Sequence, residues 1–269
     1  MRVMTWNLWW HFGDHEARWP RIVETIRSVD PDVLCLQEVW SDDSGADDAR
    51  RLADDLGLHV ARTDPVFWNG QSFGNAVLSR WPVERIADER LPRADGEPSH
   101  RRIVVAAVAT PWGPWPVAST HLDHRFDASA DRTAQLRRVM ELAIQWRSDP
   151  ERDLPGIVGA DLNALTDSDE IRMLTGRSPG VPGIVFSDVW EQSADDAANP
   201  TGATWVRANP ASHESAWPDR RLDYVLVSWP RPKPVGNPIR SWTTGRPASD
   251  DEVWPSDHLA VVVDLVTPS

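Results

Sequence analysis

Short apolar runs recur along the whole chain: Val3 to Trp9, Val33 to Val39, Asn75 to Leu78, Ile103 to Ala109, Val117 to Leu122, Ile157 to Leu162, Leu222 to Val227 and Leu259 to Val266. Each is of strand length, rich in Val, Ile and Leu, and bounded by polar or turn-forming residues, so strand is the dominant predicted element. A chain with this many apolar strands must stack or close its sheets to keep those faces out of water.

Helical periodicity is confined to a few segments. Trp19, Ile22, Val23, Ile26 and Val29 share one face, and Leu136, Val139, Met140, Ala143 and Ile144 share another. Asp30-Pro31 is expected to stop the first helix, and Asp127 or Ser129 to cap the second. Shorter helices are expected over residues 46–56 and 167–175. Helices with a single apolar stripe can cover only the outside of a sheet. The predicted fold class is therefore α/β, with two sheets packed face to face and helices outside. No linker divides the chain, which reads as one domain over residues 1–269. The segments 195–220 and 230–255 read as long loops, where binding specificity often resides.

No run approaches the roughly 18 apolar residues needed to span a bilayer. The opening MRVMTWNLWW lacks the basic start and cleavage site of a secretory signal, so a cytoplasmic location is expected. Cys35, the only cysteine, lies in an apolar run and is expected to be a buried structural thiol. The formal charge of −13 argues against broad attraction to duplex nucleic acid or an anionic membrane, while leaving room for a local basic groove. The acidic doublets Asp42-Asp43, Asp47-Asp48 and Asp54-Asp55 read as a solvated face.

Function is expected where the strands end. Trp6-Asn7, Leu36-Gln37-Glu38, Ser119-Thr120-His121, Asp161-Leu162-Asn163 and Ser256-Asp257-His258 each place metal-binding or acid/base groups at a strand edge. Asp161 and Asn163, two residues apart, share a face on an extended chain. Oxygen donors such as Glu38 and Asp161, with an amide from Asn7 or Asn163, suit Mg²⁺ or Mn²⁺ better than zinc. Taken singly, each residue also fits a structural role: Asn7 satisfying backbone groups, Glu38 capping a turn, His121 as a core histidine, Asp161 opening a loop. Asn75, in Gly74-Asn75-Ala76, fits a strand-entry turn as well as a contact to a histidine or to phosphate.

Seven segments in order, MTWNLWW, LCLQEVW, GNAVLSRWPV, ASTHLDH, VGADLNA, RRLDYVLVS and PSDHLAVVVDL, resemble the endonuclease/exonuclease/phosphatase superfamily, which includes deoxyribonuclease I, abasic-site endonucleases and bacterial sphingomyelinases. The resemblance spans nearly the whole chain. It implies a deoxyribonuclease I-like four-layer α/β/β/α sandwich, mainly antiparallel within each sheet, with the active site at one end. It further implies that Glu38 is the principal metal ligand, with Asn7 beside the metal and Asp257 completing the site. Asp161 would orient or deprotonate the attacking water, and Asn163 would hold the phosphate or the water. His258 would contact the scissile phosphate, supported by Asp223. His121 would stabilise the pentavalent phosphate or assist the leaving oxygen.

The expected activity is phosphodiester hydrolysis dependent on Mg²⁺ or Mn²⁺. A small or lipid-derived diester is favoured by the acidic balance, with a nucleic-acid strand or a phosphomonoester as alternatives and a catalytically silent binding module as a different class. Trp9 stands where abasic-site endonucleases of the superfamily carry an acidic residue. Ala203-Thr204-Trp205 with Asn209-Pro210 is similar to sphingomyelinase-like members. Of sixteen tryptophans most fall in apolar patterns, so core packing is their default; Trp9, Trp10, Trp205, Trp217 and Trp254 flank the candidate segments and are expected to include residues of a substrate pocket.

Overall fold

The computed structural model describes residues 1–212, 217–249 and 253–269. Its elements follow in the order β1 (Arg2–Asn7), α1 (His15–Val29), β2 (Val33–Asp42), α2 (Asp48–Leu56), β3 (His59–Arg62), β4 (Gln71–Ser79), β5 (Val83–Pro92), β6 (Pro98–Thr110), β7 (Gly113–His121), α3 (Ser129–Gln145), β8 (Ile157–Asp161), α4 (Asp169–Leu174), β9 (Val185–Asp188), α5 (Val189–Ser193), β10 (Asp223–Trp229), β11 (Pro238–Thr244) and β12 (Ala260–Leu265). Two six-stranded sheets result, ordered β11-β12-β1-β2-β4-β3 and β5-β6-β7-β8-β10-β9. Pairing is antiparallel except for β1 with β2 and β7 with β8. This is the deoxyribonuclease I-like sandwich the sequence implied.

The two-residue alternation of strands sorts the apolar residues into three layers. Val3, Val33, Cys35, Val117, Ile157, Val225, Val261 and Val263 form the layer between the sheets. Met4, Trp6, Leu34, Leu36 and Val262 face outward and pack against Trp19, Ile22 and Ile26 of α1 and Leu52 of α2. On the second sheet Val158, Ala160, Tyr224 and Leu226 meet Leu136, Val139 and Met140 of α3 and Ile171 of α4. Within β8 this puts Ile157, Gly159 and Asp161 on the inner face. A Cβ added at Gly159 would lie 2.5 Å from Cys35 Cβ and 3.0 Å from Thr5 Cβ, so the sheets approach here only because this position has no side chain.

Several local expectations are corrected. The first strand ends at Asn7 rather than Trp9, because Trp9 and Trp10 turn to positive φ (59° and 42°). Helix α3 is preceded by Ala128 with no side-chain cap, so neither Asp127 nor Ser129 caps it, whereas Asp30 does end α1 in a left-handed conformation. Asp47-Asp48 is no solvated face: Asp47 accepts from Ala49 and Arg50 N–H at the start of α2, and Asp48 is buried against two histidines. Part of the segment 230–255 forms β11, whose pairing with β12 is tertiary rather than written in an apolar run. The polar strand β5, the short β3 and β9, and α5 likewise escaped the periodicity. Among the described residues no helix is long and apolar enough to cross a membrane.

Candidate active site

Strand register builds one half of the site. His121 of β7 lies opposite Asp161 of β8, which lies opposite Asp223 of β10, so three adjacent strands of the second sheet present these side chains in a row on the inner face. The first sheet brings Asn7 at the end of β1, paired with Gln37 of β2. Glu38 follows, and uninterrupted alternation would point it outward with Leu36. It does not follow that rule, because Leu36 pairs Ala76 while Val39 pairs Gly74, which leaves Gln37 and Glu38 together opposite Asn75. Glu38 takes φ 51° at this bulge. A left-handed non-glycine residue costs on the order of 1–3 kcal/mol and gathers where function over-determines the backbone.

Asn7 closes the gap between the sheets. Its Nδ2 donates to Asp161 Oδ2 (3.0 Å), while its Oδ1 accepts from Trp9 N–H (2.9 Å). Asn163 N–H donates to Asp161 Oδ1 (3.0 Å), so both oxygens of that carboxylate are held. Asn163 Nδ2 faces Leu122 O (3.3 Å), which fixes it as the amide nitrogen, and so it donates to His121 Nε2 (3.0 Å). His121 is therefore the neutral tautomer with its proton on Nδ1, 3.8 Å from Glu38 Oε1. Burial, reinforced by the cation of Arg101, holds its pKa well below the ordinary histidine value.

His258 is poised oppositely. Burial opposes its charge, but Asp223, Asp257 and Asp161 around it outweigh that and hold its pKa well above the ordinary value. Its Nδ1 donates to Asp223 Oδ2 at 2.7 Å, a charge-assisted bond. Its Nε2 stands 3.9 Å from Asp161 Oδ2, too long for a hydrogen bond and suited to a bridging water or phosphate oxygen. Thr204 Oγ1 accepts from the N–H groups of Leu222 and Asp223 (3.1 and 3.2 Å), and Thr204 O accepts from Leu259 N–H, so the Ala203-Thr204-Trp205 segment positions both members of the pair. Ser256 Oγ donates to Asn7 O (2.6 Å) and accepts from His258 N–H, which ties the Asp257-His258 turn to β1.

The donor set fits a divalent cation. Glu38 Oε2 is buried and has no protein partner, as is Asp223 Oδ1. Burial pushes the Glu38 carboxyl up to about 7, with neighbouring Asp257 adding to it, and burial likewise raises Asp257. Buried carboxylates with a free oxygen are what a hard, oxygen-seeking cation neutralises. Asp161, Asp223 and His258 also present ligand atoms within 4.8 Å of one another.

Asn75 sits in mid-strand, not at a strand-entry turn, and its Nδ2 donates to Arg102 O (2.8 Å), bridging the two sheets beneath the bulge. Among the described residues it bonds no histidine. Of the tryptophans, Trp10 stacks on Phe73 at 4.4 Å, Trp254 packs on Ala203, Val206 and Leu259, and Trp205 makes backbone bridges to Arg220 and His258. Trp217 is half-exposed and stacked on Phe126 at 4.6 Å.

Four arginine and glutamine side chains surround the site; from sequence Arg101 reads as a substrate contact or as part of a solvated loop, and Gln37, Arg18 and Arg220 were not anticipated. Gln37 Nε2 donates to Thr5 Oγ1, Ser119 Oγ and Gly159 O, pinning the sheets together one residue before Glu38. Buried Arg18 donates to the carbonyls of Leu8, Trp9, Trp10, Phe12 and Pro255. Arg101 bonds His124 Nδ1 at 2.9 Å and acts electrostatically on Asp161 and Glu38. Arg220 lies over Trp205 at 4.5 Å and Phe126 at 5.0 Å, within the field of Asp161. Arg18 lies one turn before Ile22 on the buried face of α1, where an apolar stripe gives no reason to expect a cation, and Arg220 lies in a loop, so periodicity singled out neither.

A family model for the endonuclease/exonuclease/phosphatase family matches residues 4–258. No curated protein matches significantly. Among solved structures, an endonuclease/exonuclease/phosphatase from Beutenbergia cavernae DSM 12333 is 26% identical, with TM-score 0.70, covering 98% of this chain and 71% of that one. The human Nocturnin catalytic domain with bound sulfate has 23% identity and TM-score 0.72, covering 99% and 93% of the two chains. D. rerio TDP2 complexed with single-strand DNA product has 19% identity and TM-score 0.73, covering 99% of each. The chain belongs to the endonuclease/exonuclease/phosphatase family, whose members hydrolyse phosphate esters.

Proposed function

We propose that this protein is a phosphodiesterase dependent on Mg²⁺ or Mn²⁺ that hydrolyses its substrate by in-line attack of an activated water. One observation carries the reading: His121, Asp161 and Asp223 lie in a row, with His258 2.7 Å from Asp223, and face the partnerless buried oxygen of Glu38. Glu38, Asn7 and Asp257 would hold the cation. When bound it acts as a Lewis acid on phosphate oxygens, a contribution of several kcal/mol in such sites.

Asp161 has both oxygens oriented by Asn7 and Asn163, and so is placed to align a water and accept its proton. Charged His258 donates to a non-bridging phosphate oxygen, with Asp223 keeping its ring oriented and protonated. Neutral His121, fixed by Asn163, offers its Nδ1 proton toward the leaving side. Asn163 and Asn75 would position the phosphate and the sheet edge around it.

The net charge of −13 favours a small or lipid-derived diester. A nucleic-acid strand is the second reading, carried by the exposed Phe126–Trp217 stack beside Arg220, a surface on which bases can stack. The test is hydrolysis of bis-p-nitrophenyl phosphate, p-nitrophenyl phosphate, sphingomyelin, single- and double-stranded DNA and RNA with Mg²⁺, Mn²⁺ or EDTA. Turnover that needs the metal and disappears in Asp161→Ala and His258→Ala supports the proposal. Turnover that persists in EDTA, or in either variant, overturns it.

A further inference from the structure

A second cluster of ligand-type side chains lies outside the site described above. His11, in the loop after β1, His15, the first residue of α1, and Asp48, the first residue of α2, converge on one point. His11 Nε2 is 3.1 Å and His15 Nε2 3.2 Å from the same oxygen, Asp48 Oδ2. The two imidazoles lie 3.6 Å apart between centroids, and Trp40 stacks on the outer face of His11 at 3.9 Å. His15 and Asp48 side chains are each 8% exposed, and that of His11 is 27% exposed, so the cluster is open to solvent on one side.

Hydrogen bonding alone accounts poorly for this arrangement. If both rings donate through Nε2 to Oδ2, His15 Nδ1 is left a bare lone pair, and that atom is buried with no partner. A cation at the convergence point reverses this. With the metal on Nε2, Nδ1 carries the proton, and Glu16 Oε1, 3.8 Å away on a side chain 83% exposed, is free to swing in and accept it. Metal-bound histidines characteristically have such an outer partner. The spacings agree: ligands at metal distances of about 2.0–2.1 Å in a tetrahedron stand roughly 3.3 Å from one another.

We propose that His11, His15 and Asp48 bind one divalent cation of the zinc class, with a solvent water as fourth ligand, and that this ion pins the loop after β1 to the start of α2. Two imidazoles and one carboxylate select zinc over magnesium, so the site differs in chemistry from the oxygen-rich centre around Glu38.

The test titrates Zn²⁺ into EDTA-treated, dialysed full-length protein by calorimetry, for wild type, His11→Gln and Asp48→Asn. Co²⁺ absorption spectra recorded in parallel report tetrahedral nitrogen coordination. His11 lies in a partly exposed loop, so His11→Gln keeps the fold, checked by circular dichroism. Expected is a Zn²⁺ stoichiometry lower by one in both variants, or an affinity weakened beyond the roughly 10- to 100-fold that outer-shell partners contribute, together with loss of the tetrahedral Co²⁺ bands. The same stoichiometry and affinity in His11→Gln and wild type, or Co²⁺ spectra unchanged by the substitution, would overturn the proposal.

Discussion

Arg18→Met is the most informative single change outside the row of candidate catalytic residues. Arg18 is 2% exposed, and its guanidinium bonds five backbone carbonyls, four in the loop after β1 and one, Pro255 O, two residues before Asp257. The bonds to Leu8 O (2.9 Å) and Pro255 O (2.8 Å) are fully buried. Leaving a buried carbonyl unsatisfied costs about 1–3 kcal/mol. The carbonyls of Trp9, Trp10 and Phe12 are reached partly by solvent and can be rehydrated at small cost. Methionine retains most of the stem packing and removes a buried cation, which offsets part of the loss. The net is about 3 kcal/mol, or a fall in melting temperature of roughly 6–12 °C for a chain of this size. Thermal unfolding followed by circular dichroism reads this directly, and a fall under about 2 °C refutes it. Phosphodiester turnover at 25 °C tests the positioning part of the argument, with about a tenfold loss expected. A variant that melts early yet turns over at the wild-type rate shows that Arg18 braces the loops without setting Asp257 and His258.

Gly159→Ala is expected to destabilise by about 1–3 kcal/mol through overpacking, since its Cβ would meet Cys35 and Thr5 inside van der Waals contact; denaturant melts check it. Asp223→Asn removes the charge that keeps His258 protonated and should lower turnover by about 10²–10⁴-fold with little change in fold, read from steady-state kinetics. Burial pushes Glu38 to about 7 against an ordinary 4.5, so the metal-free folded state holds a proton that the unfolded chain loses across that window. Stability in EDTA should therefore fall as pH rises from about 4.5 to 7, and Mg²⁺ affinity should climb over the same range, which melts and titrations at pH 5 and 7.5 would reveal. Cys35 is buried, which pushes its thiol up to about 12, so Ellman's reagent should label it only after unfolding.

What the sequence disclosed follows from what periodicity can carry. Strands buried on both faces, such as β1, β8 and β12, announce themselves as continuous apolar runs, and the polar residues ending them marked Asn7, Asp161, Asp257 and His258. The polar strand β5, at a sheet edge, and β11, half-exposed, have no such signature, and their partners lie far away in sequence. Alternation also failed at Glu38, where a bulge puts two successive residues opposite Asn75. The motif identified that residue, but the left-handed backbone that aims it is invisible to a two-residue repeat. Gly159 is the converse, a glycine inside a strand pattern whose reason appears only when the facing sheet is in place. Arg18 and Gln37 were missed because their function is to satisfy backbone and side-chain groups of other elements, which no local pattern records.

The seam between β1 and β12 also has a kinetic consequence. The chain's first and last strands pair in register, Met1 N–H meets Leu265 O at 2.9 Å, and Ser256 reaches Asn7 across 249 residues of sequence. During vectorial synthesis β1 emerges before β12 and waits with one edge bare until β12 arrives to cover it. Bare edges of apolar strands are templates for aggregation, and pairings of such long sequence separation close slowly. A nascent chain halted before Asp257 would therefore lack two residues of the candidate site, Asp257 and His258, and would also leave the β1 edge of its sheet bare and dependent on chaperones until β12 is inserted.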